Sequence, residues 1–335
     1  MEHVSGETLA ELGEAEILDR IFPRLPHSNY AILGPGDDCA VISAPDSRYV
    51  VTTDMMVEGP DFRTDWSTAF EIGYKAAAIN LADVAAMGAE PTALVVALGA
   101  PDDTDVAVLE QIADGLRVAC GEMAPGCGVV GGDLSHAPVL VLSITAHGDL
   151  GGAEPVTRSG ARVGDVVAVS GSLGLAGLGL DLLSEYGEAA RGQWPTAVTA
   201  QLAPNPPIHA ARSLISAQAH AAMDVSDGLA RDASRMARAS GQRIDLSSEL
   251  LSRWVSLLRD EVSQSVRSDE ELMALVLFSG ESHALLASFS PDQRLPEGFF
   301  PVGRVFSTDS AAIGGGFLTR DGEKIDPAGW HPFRR

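Results

Sequence analysis

The chain has 335 residues, 45% of them hydrophobic, and carries a formal net charge of −23 with a pI near 4.5. That length and composition allow two ordinary globular domains, each with its own core. The charge argues against a nucleic-acid backbone or an anionic membrane as main partner, and it requires that an anionic substrate arrive together with cations.

Apolar periodicity predicts an amphipathic first helix over residues 10–22, then short strands at 39–43 and 49–53. A long helix over 69–86 follows, capped near Ser67 or Thr68, with Ile72, Ala76, Ile79 and Met87 on one apolar face. Residues 92–98 read as a strand, 105–119 as a helix, and 139–146 as a buried strand. The glycines and Pro155 of 148–162 mark the expected boundary between domains 1–150 and 151–335. The second half reads as a strand at 165–170, a Gly-rich helix at 173–183, a loop around 194–207, and a helix at 208–218. A short strand at 221–223 leads into a helix at 229–239, and further strands are expected at 284–289, 302–306 and 311–318. The charged stretch 259–271 reads as a solvated face and loop. This alternation gives an α/β or α+β fold in two domains.

Asp83 lies on the same face as the apolar residues of the long helix. An unpaired ionised carboxylate there costs roughly several kcal/mol, so it calls for a partner, and a cation is the obvious one. Other carboxylates flank short apolar runs: Gly36-Asp37-Asp38, Thr52-Thr53-Asp54, Gly132-Asp133 and Asp224-Val225-Ser226-Asp227-Gly228. Taken singly, each has a plainer reading. Asp and Gly make turns, Thr and Asp close strands, and Asp224 to Asp227 suits a helix N-cap. Five such sites together point to bound metal. All the candidate ligands are oxygen donors, and the eight histidines include no pair three to five residues apart, which favours magnesium over zinc. Magnesium held by few carboxylates keeps part of its shell for water and substrate phosphates, so a nucleotide is implied.

The chain has only two lysines, Lys75 and Lys324, and neither lies in the Gly-Lys-Ser/Thr context of a Walker-type loop. Gly171-Ser172-Leu173-Gly174-Leu175-Ala176-Gly177 opens a helix after a strand, and reads either as close helix packing or as a phosphate-cradling loop. Cys39, Cys120 and Cys127 form no Cys-x-x-Cys pair and suit free thiols in a reducing compartment. The N-terminal residues lack the basic and apolar regions of a secretory signal, so a cytoplasmic protein is expected.

Six stretches together resemble the thiamine-monophosphate kinases, members of the superfamily that includes aminoimidazole ribonucleotide synthetase and selenophosphate synthetase. They are Gly36-Asp37-Asp38-Cys39-Ala40, Thr52-Thr53-Asp54, the run from Asn80 to Ala89, Gly131-Gly132-Asp133, Thr157-Arg158-Ser159-Gly160 and Asp224-Val225-Ser226-Asp227-Gly228-Leu229. The resemblance implies a two-domain aminoimidazole ribonucleotide synthetase-like fold. In it the N-terminal sheet pairs with a second subunit into a barrel, and a C-terminal α/β domain closes over the nucleotide. It implies magnesium ions held by Asp38, Thr52, Thr53, Asp54, Asp83, Asp133, Asp224 and Asp227; on that basis Asp54, Asp83 and Asp133 are expected to organise the catalytic ions, and Asp38 with Asp224 and Asp227 to hold additional ones. Gly132, Arg158 and Ser226 match positions that contact ATP, and Glu281 and Trp330 match positions at the thiamine end.

Three departures fall on the acceptor side. Asp61 stands where the family has His, Ser279-Gly280-Glu281-Ser282 replaces Gly-Gly-Glu-Asp, and Gly329-Trp330-His331-Pro332-Phe333 replaces Gly-Trp-Asp-His-Phe. The activity implied is ATP-dependent phosphorylation of thiamine monophosphate to thiamine diphosphate by a homodimer. The alternatives are another ATP-dependent member of the superfamily, such as formylglycinamidine ribonucleotide cyclo-ligase, and a non-catalytic nucleotide-binding regulatory protein.

Overall fold

The computed structural model describes residues 7–12, 14–33, 40–263, 266–308 and 315–329. The chain separates into two compact units, Met1–Val84 with Ala89–Gly152, and Ala85–Gly88 with Ala153–Arg335. Asp38, Cys39 and Trp330, named from the sequence, lie outside the described residues, as do 311–314 of the last expected strand.

The first unit opens with the helical spans α1 (Leu9–Leu12) and α2 (Glu14–Ile21), within the helix expected over 10–22, whose residue 13 lies outside the described residues, and a 3-10 turn, Phe22–Arg24, follows. A small hairpin pairs β1 (Ala31–Leu33) with β2 (Val41–Ile42). The main sheet contains β3 (Val50–Val57), β4 (Glu90–Ala100), β5 (Gly128–His136) and β6 (Val141–Asp149), in the order β3-β6-β4-β5. The long helices α3 (Ala69–Ala86) and α4 (Val106–Met123) complete the unit. The start of α3 is fixed by a reciprocal cap: Glu71 N–H donates to Thr68 Oγ1 at 3.2 Å, and Thr68 N–H donates to Glu71 at 2.9 Å. Every residue from Ile72 to Ala82 is buried, so α3 is enclosed around its whole circumference rather than along one stripe.

Strands β3 and β5 run further than expected. Asp54 was expected just beyond the end of a strand and Asp133 at one, but both sit inside strands. In β3 the run Met55-Met56-Val57 continues the alternation, with Met56 buried and Met55 62% exposed. β6 alternates as well, burying Leu142, Ile144 and Ala146 and leaving the residues between them half-buried.

The second unit is built on a seven-stranded sheet in the order β13-β12-β9-β11-β7-β10-β8. Its strands are β7 (Val166–Ser170), β8 (Ala221–Val225), β9 (Arg243–Leu246), β10 (Ala284–Phe289), β11 (Phe299–Phe306), β12 (Phe317–Arg320) and β13 (Glu323–Lys324). All pairings are antiparallel except β12 with β9. All six residues of β10 are buried, as a central strand covered on both faces requires.

The helices of this unit are α5 (Leu175–Tyr186), α6 (Ala189–Gln193), α7 (Pro195–Leu202), α8 (Ala211–Ser216), α9 (Leu229–Ser240), α10 (Ser248–Glu261) and α11 (Asp269–Phe278). The expected loop around 194–207 holds α7, whose first residue is a proline in the position where a missing N–H does least harm. The charged stretch 259–271 is the junction of α10 and α11, where Ser268 and Glu271 form a capping box. The glycines after β7 serve packing: a Cβ on Gly177 would lie 2.2 Å from Ser279 Cβ, and one on Gly179 would lie 2.0 Å from Ala197 O.

Candidate active site

In the first unit the site is assembled where α3 crosses β3. Alternation along β3 turns Thr52 and Asp54 to the helix side and Thr53 to the other face. Thr52 Oγ1 donates to Asp83 Oδ2 at 2.9 Å. One helical turn earlier, Asn80 accepts the N–H of Asp54 at 3.2 Å through Oδ1, and its own Nδ2 donates to Ala76 O at 2.9 Å. Asn80 is only 1% exposed, so its amide must be satisfied inside the protein. Asp83 is half-buried rather than enclosed, one of the few residues of α3 with access to solvent. Thr53 donates to Ile144 O at 2.9 Å.

Asp133 stands apart from this group. The register aligns Met55 with Ser143, Ser143 with Ala97, and Ala97 with Asp133. β3 and β5 are the two edges of the sheet, so Asp54 and Asp133 are separated by three strand spacings, roughly 14 Å. The exposed Asp133 carboxylate takes a hydrogen bond from Ser135 Oγ at 2.7 Å. Its neighbour Gly132 admits no side chain, because a Cβ would lie 2.1 Å from Val96 O. Asp61 closes the turn after β3, its Oδ2 accepting the N–H of Val57 at 2.8 Å.

The second unit gathers a separate group at the end of β8. Gly228, at φ 118°, turns the chain from β8 into α9, and a Cβ there would lie 2.8 Å from Phe278 O. Ser226 O accepts the N–H of Glu281 at 2.7 Å, which puts these two predicted site residues side by side. Glu281 and His283 both have left-handed backbones, φ 63° and 44°. Gln201 Nε2 donates to Glu281 at 3.1 Å, and His283 Nδ1 lies 3.7 Å from Asp224. Arg158 is exposed, in a loop whose following amides, Gly160 and Ala161, both donate to Ser240 Oγ on α9.

Beside Asp224 and Asp227 stands Asp232, which sequence reasoning did not single out. It is 0% exposed. It accepts the N–H of Asp227 at 3.0 Å and pairs with Arg235 at 2.6 Å, and Arg235 in turn reaches Asp227 Oδ2 at 2.6 Å. Arg231 approaches the same Asp227 oxygen at 3.6 Å. Burial, reinforced by the charge of Asp224, pushes the Asp232 carboxyl up to about 7, against the pull of the Asp227 amide and Arg235. Arg235 is raised above the ordinary guanidinium value, because Asp232 and Asp227 outweigh the burial that opposes its charge.

The donors in both units are hard oxygens, and like-charged carboxylates crowd around Asp227 with guanidinium groups on it. Among the described residues no group of three or more His, Cys, Asp or Glu side chains can hold a metal ion by itself. Such a donor set fits magnesium, which leaves coordination positions to water and substrate phosphates, and does not fit a closed structural site. A cavity of about 220 Å³ in the first unit, lined in part by Arg48, Tyr49, His147 and Asp149, contains none of the predicted site residues.

Two family models match this chain: the N-terminal domain of AIR synthase related protein over residues 36–150, and its C-terminal domain over 162–297. The chain therefore has the two-domain fold of the AIR synthase related class. The chain is 40% identical to the thiamine-monophosphate kinase of Mycobacterium tuberculosis (strain H37Rv), over 97% of this chain and 93% of the relative. It is 37% identical to that of Corynebacterium glutamicum, over 90% and 89%. A solved structure of AaThiL complexed with AMPPCP and TMP is 31% identical with a TM-score of 0.75, covering 98% of this chain and 99% of that one. The thiamine-monophosphate kinase structure from Stenotrophomonas maltophilia K279a is 29% identical with a TM-score of 0.75, covering 93% and 96%. Within its class, the chain belongs to the thiamine-monophosphate kinase family.

Proposed function

We propose that the chain transfers the γ-phosphoryl group of ATP to the phosphate of thiamine monophosphate, giving thiamine diphosphate and ADP. The observation that carries this reading is the α3–β3 pairing, in which Asp83 holds Thr52 and Asn80 holds Asp54. These four residues come from two of the stretches that resemble the kinase family, and the fold brings them together. The likeness to AaThiL complexed with AMPPCP and TMP supports the same pair of substrates.

The acceptor phosphate is already anionic at neutral pH, so no strong general base is needed, and the residues have to align two phosphates and offset their charge. At ~5 Å and an effective dielectric near 20, each unit like-charge pair costs about 3 kcal/mol. Bound magnesium would supply that neutralisation. Asp54 and Asp83 would hold it on the first unit, with Thr52 fixed by Asp83 and Asp54 by Asn80. Asp133, Asp38, Thr53, Asp224 and Asp227 are the further candidates; Gly132, Arg158 and Ser226 would contact the nucleotide, and Asp61, Glu281 and, on the resemblance alone, Trp330 would contact the acceptor. In this reading residues 1–150 bind ATP and magnesium and carry the dimer contact, and 151–335 complete the nucleotide and acceptor sites.

The strand order supports a homodimer, because it leaves β3 and β5 as the two edges of the sheet. Asp54 and Asp133 lie on opposite edges of one sheet, too far apart to serve one cation within a protomer. Pairing the β3 edge with a partner's β5 edge would satisfy both free edges and cover Val51 and Met55, which are 57% and 62% exposed. Sedimentation should give a dimer; a monomer with full activity would remove this part. Cys120 and Cys127 are buried free thiols, in keeping with a cytoplasmic protein. Among the described residues no helix is long and apolar enough to cross a membrane. The deciding assay is incubation with Mg-ATP and each candidate acceptor. ADP formation that depends on thiamine monophosphate supports the kinase, and ADP formation indifferent to it rejects it.

A further inference from the structure

We infer that Arg235 is a built-in competitor for the divalent cation at Asp227, a positioning residue that keeps this ligand neutralised until the nucleotide arrives. The inference rests on the proposed reading of Asp227 as a cation ligand. Three residues form a closed ring. The Asp227 N–H donates to Asp232 Oδ2 at 3.0 Å, Asp232 Oδ1 pairs with Arg235 Nη1 at 2.6 Å, and Arg235 Nη2 pairs with Asp227 Oδ2 at 2.6 Å.

Both oxygens of Asp232 are used and its side chain is 0% exposed, so it cannot swing away, and Arg235 is held by the other prong of its fork. Asp232 and Arg235 are three residues apart on α9, one helical turn, so the geometry is set by the helix rather than by a mobile loop. The guanidinium therefore stands against the carboxylate that the cation must use. A divalent ion at Asp227 either displaces one prong or binds within a few ångströms of a fixed positive charge. Both weaken cation binding to the nucleotide-free protein. Nucleotide phosphates offer the guanidinium another anion, so this position should fill together with the nucleotide rather than before it.

The test is Mn²⁺ binding to the full-length, nucleotide-free protein, followed by the paramagnetic resonance signal of free Mn²⁺. Arg235→Gln should bind about tenfold more tightly at one site, and the gain should vanish when Asp227→Asn is added. A gain in affinity is not what a damaged fold produces. Should Arg235→Gln fail to fold, Arg235→Lys decides by the same criterion, since lysine lacks the fork and should give a severalfold gain. Unchanged or weaker binding, with Asp227→Asn still removing one site, overturns the role of Arg235 and leaves the cation reading standing. If Asp227→Asn removes no site, Asp227 is not a cation ligand, and both fall.

Discussion

Two glycines of the same helix should respond in opposite directions to one substitution. Gly115 of α4 lies against the backbone of α3, and a Cβ there would sit 2.1 Å from Phe70 O and 2.7 Å from Tyr74 N, against 3.4 Å at the near limit of ordinary contact. The contact is reciprocal, since a Cβ on Gly73 of α3 would lie 2.1 Å from Ile112 O. Neither obstacle is a side-chain tip that can rotate away, so Gly115→Ala must push the helices apart by roughly an ångström. Overpacking costs about 1–3 kcal/mol, and the all-backbone obstacle puts this case at the upper end. Helix propensity returns about 0.5–1 kcal/mol, leaving a net loss of about 2 kcal/mol. For a unit of this size that lowers the midpoint by about 4–8 °C. Gly121 is an exposed position of the same helix with nothing within 4 Å of a Cβ, so Gly121→Ala should raise the midpoint by about 1–4 °C. Differential scanning calorimetry reads both. The displacement also reaches the site, because Asp83 and Asn80 ride on α3 and hold Thr52 and Asp54 at 2.9 and 3.2 Å. Turnover in Gly115→Ala should fall by about ten- to a hundredfold below its melting range. Equal signs for the two variants would refute the packing argument, and undiminished turnover in a destabilised Gly115→Ala would refute the link to the site.

Asp54→Ala should abolish turnover while circular dichroism stays unchanged; near-normal single-turnover rates at ordinary magnesium concentration would remove Asp54 from the site. Thr52→Val removes the 2.9 Å hydrogen bond to Asp83 and should raise the half-saturating magnesium concentration severalfold with little change in stability, about 1 kcal/mol or less. An unaltered magnesium dependence would show that this bond does not orient Asp83. Asp232 gives a pH dependence of defined sign. Its folded value of about 7 lies above the ordinary aspartate value of 3.8, so between those values the folded chain keeps a proton that the unfolded chain releases. The resulting stabilisation is present below about 4 and is lost as pH rises towards 7, roughly 4 kcal/mol at most. Urea titrations from pH 4 to 7 should therefore show wild type losing stability relative to Asp232→Asn as pH rises. A relative gain would mean that the ion pair with Arg235 outweighs burial.

The same physical signal explains what was legible in the sequence and what was missed. Asp83 attracted notice as a carboxylate on an apolar helix face, and α3 occupies the span expected for it. Asn80 carried the same signal three residues earlier and was read only as part of a motif. Asp232 carried it too: Leu229, Ala233, Met236 and Ala237 form the buried stripe of α9, and Asp232 falls within that stripe. Arg235 had no such mark, because its role depends on the fork reaching two carboxylates at once. At the α10–α11 junction, charge density concealed a capping box, Ser268 with Glu271, that spacing alone could have revealed. Asp54 follows the strand expected at 49–53, and Thr and Asp are common at strand ends, yet the strand does not stop there. Pairing of Asp54 with Ile144 and of Met55 with Ser143 carries β3 on to Val57.

Strand order is the part that no local pattern contains. In the sequence Asp54 and Asp133 look alike, each following a short apolar run, and a shared cation is the simplest reading. The order β3-β6-β4-β5 puts them at opposite edges, because the last strand, β6, inserts between β3 and β4. That insertion is a long-range choice set by the core. Leu142, Ile144 and Ala146 on β6 are each at most 1% exposed, and Ala146 pairs with the equally buried Leu94 on β4, so β6 takes a central place beside β4. The cost of burying β6 is two free edges, each carrying a carboxylate of the proposed site. The dimer proposal has a direct test in these edges: a variant held monomeric by a charge at Met55 should lose turnover even with every site residue intact, and full turnover in such a monomer would refute the proposal.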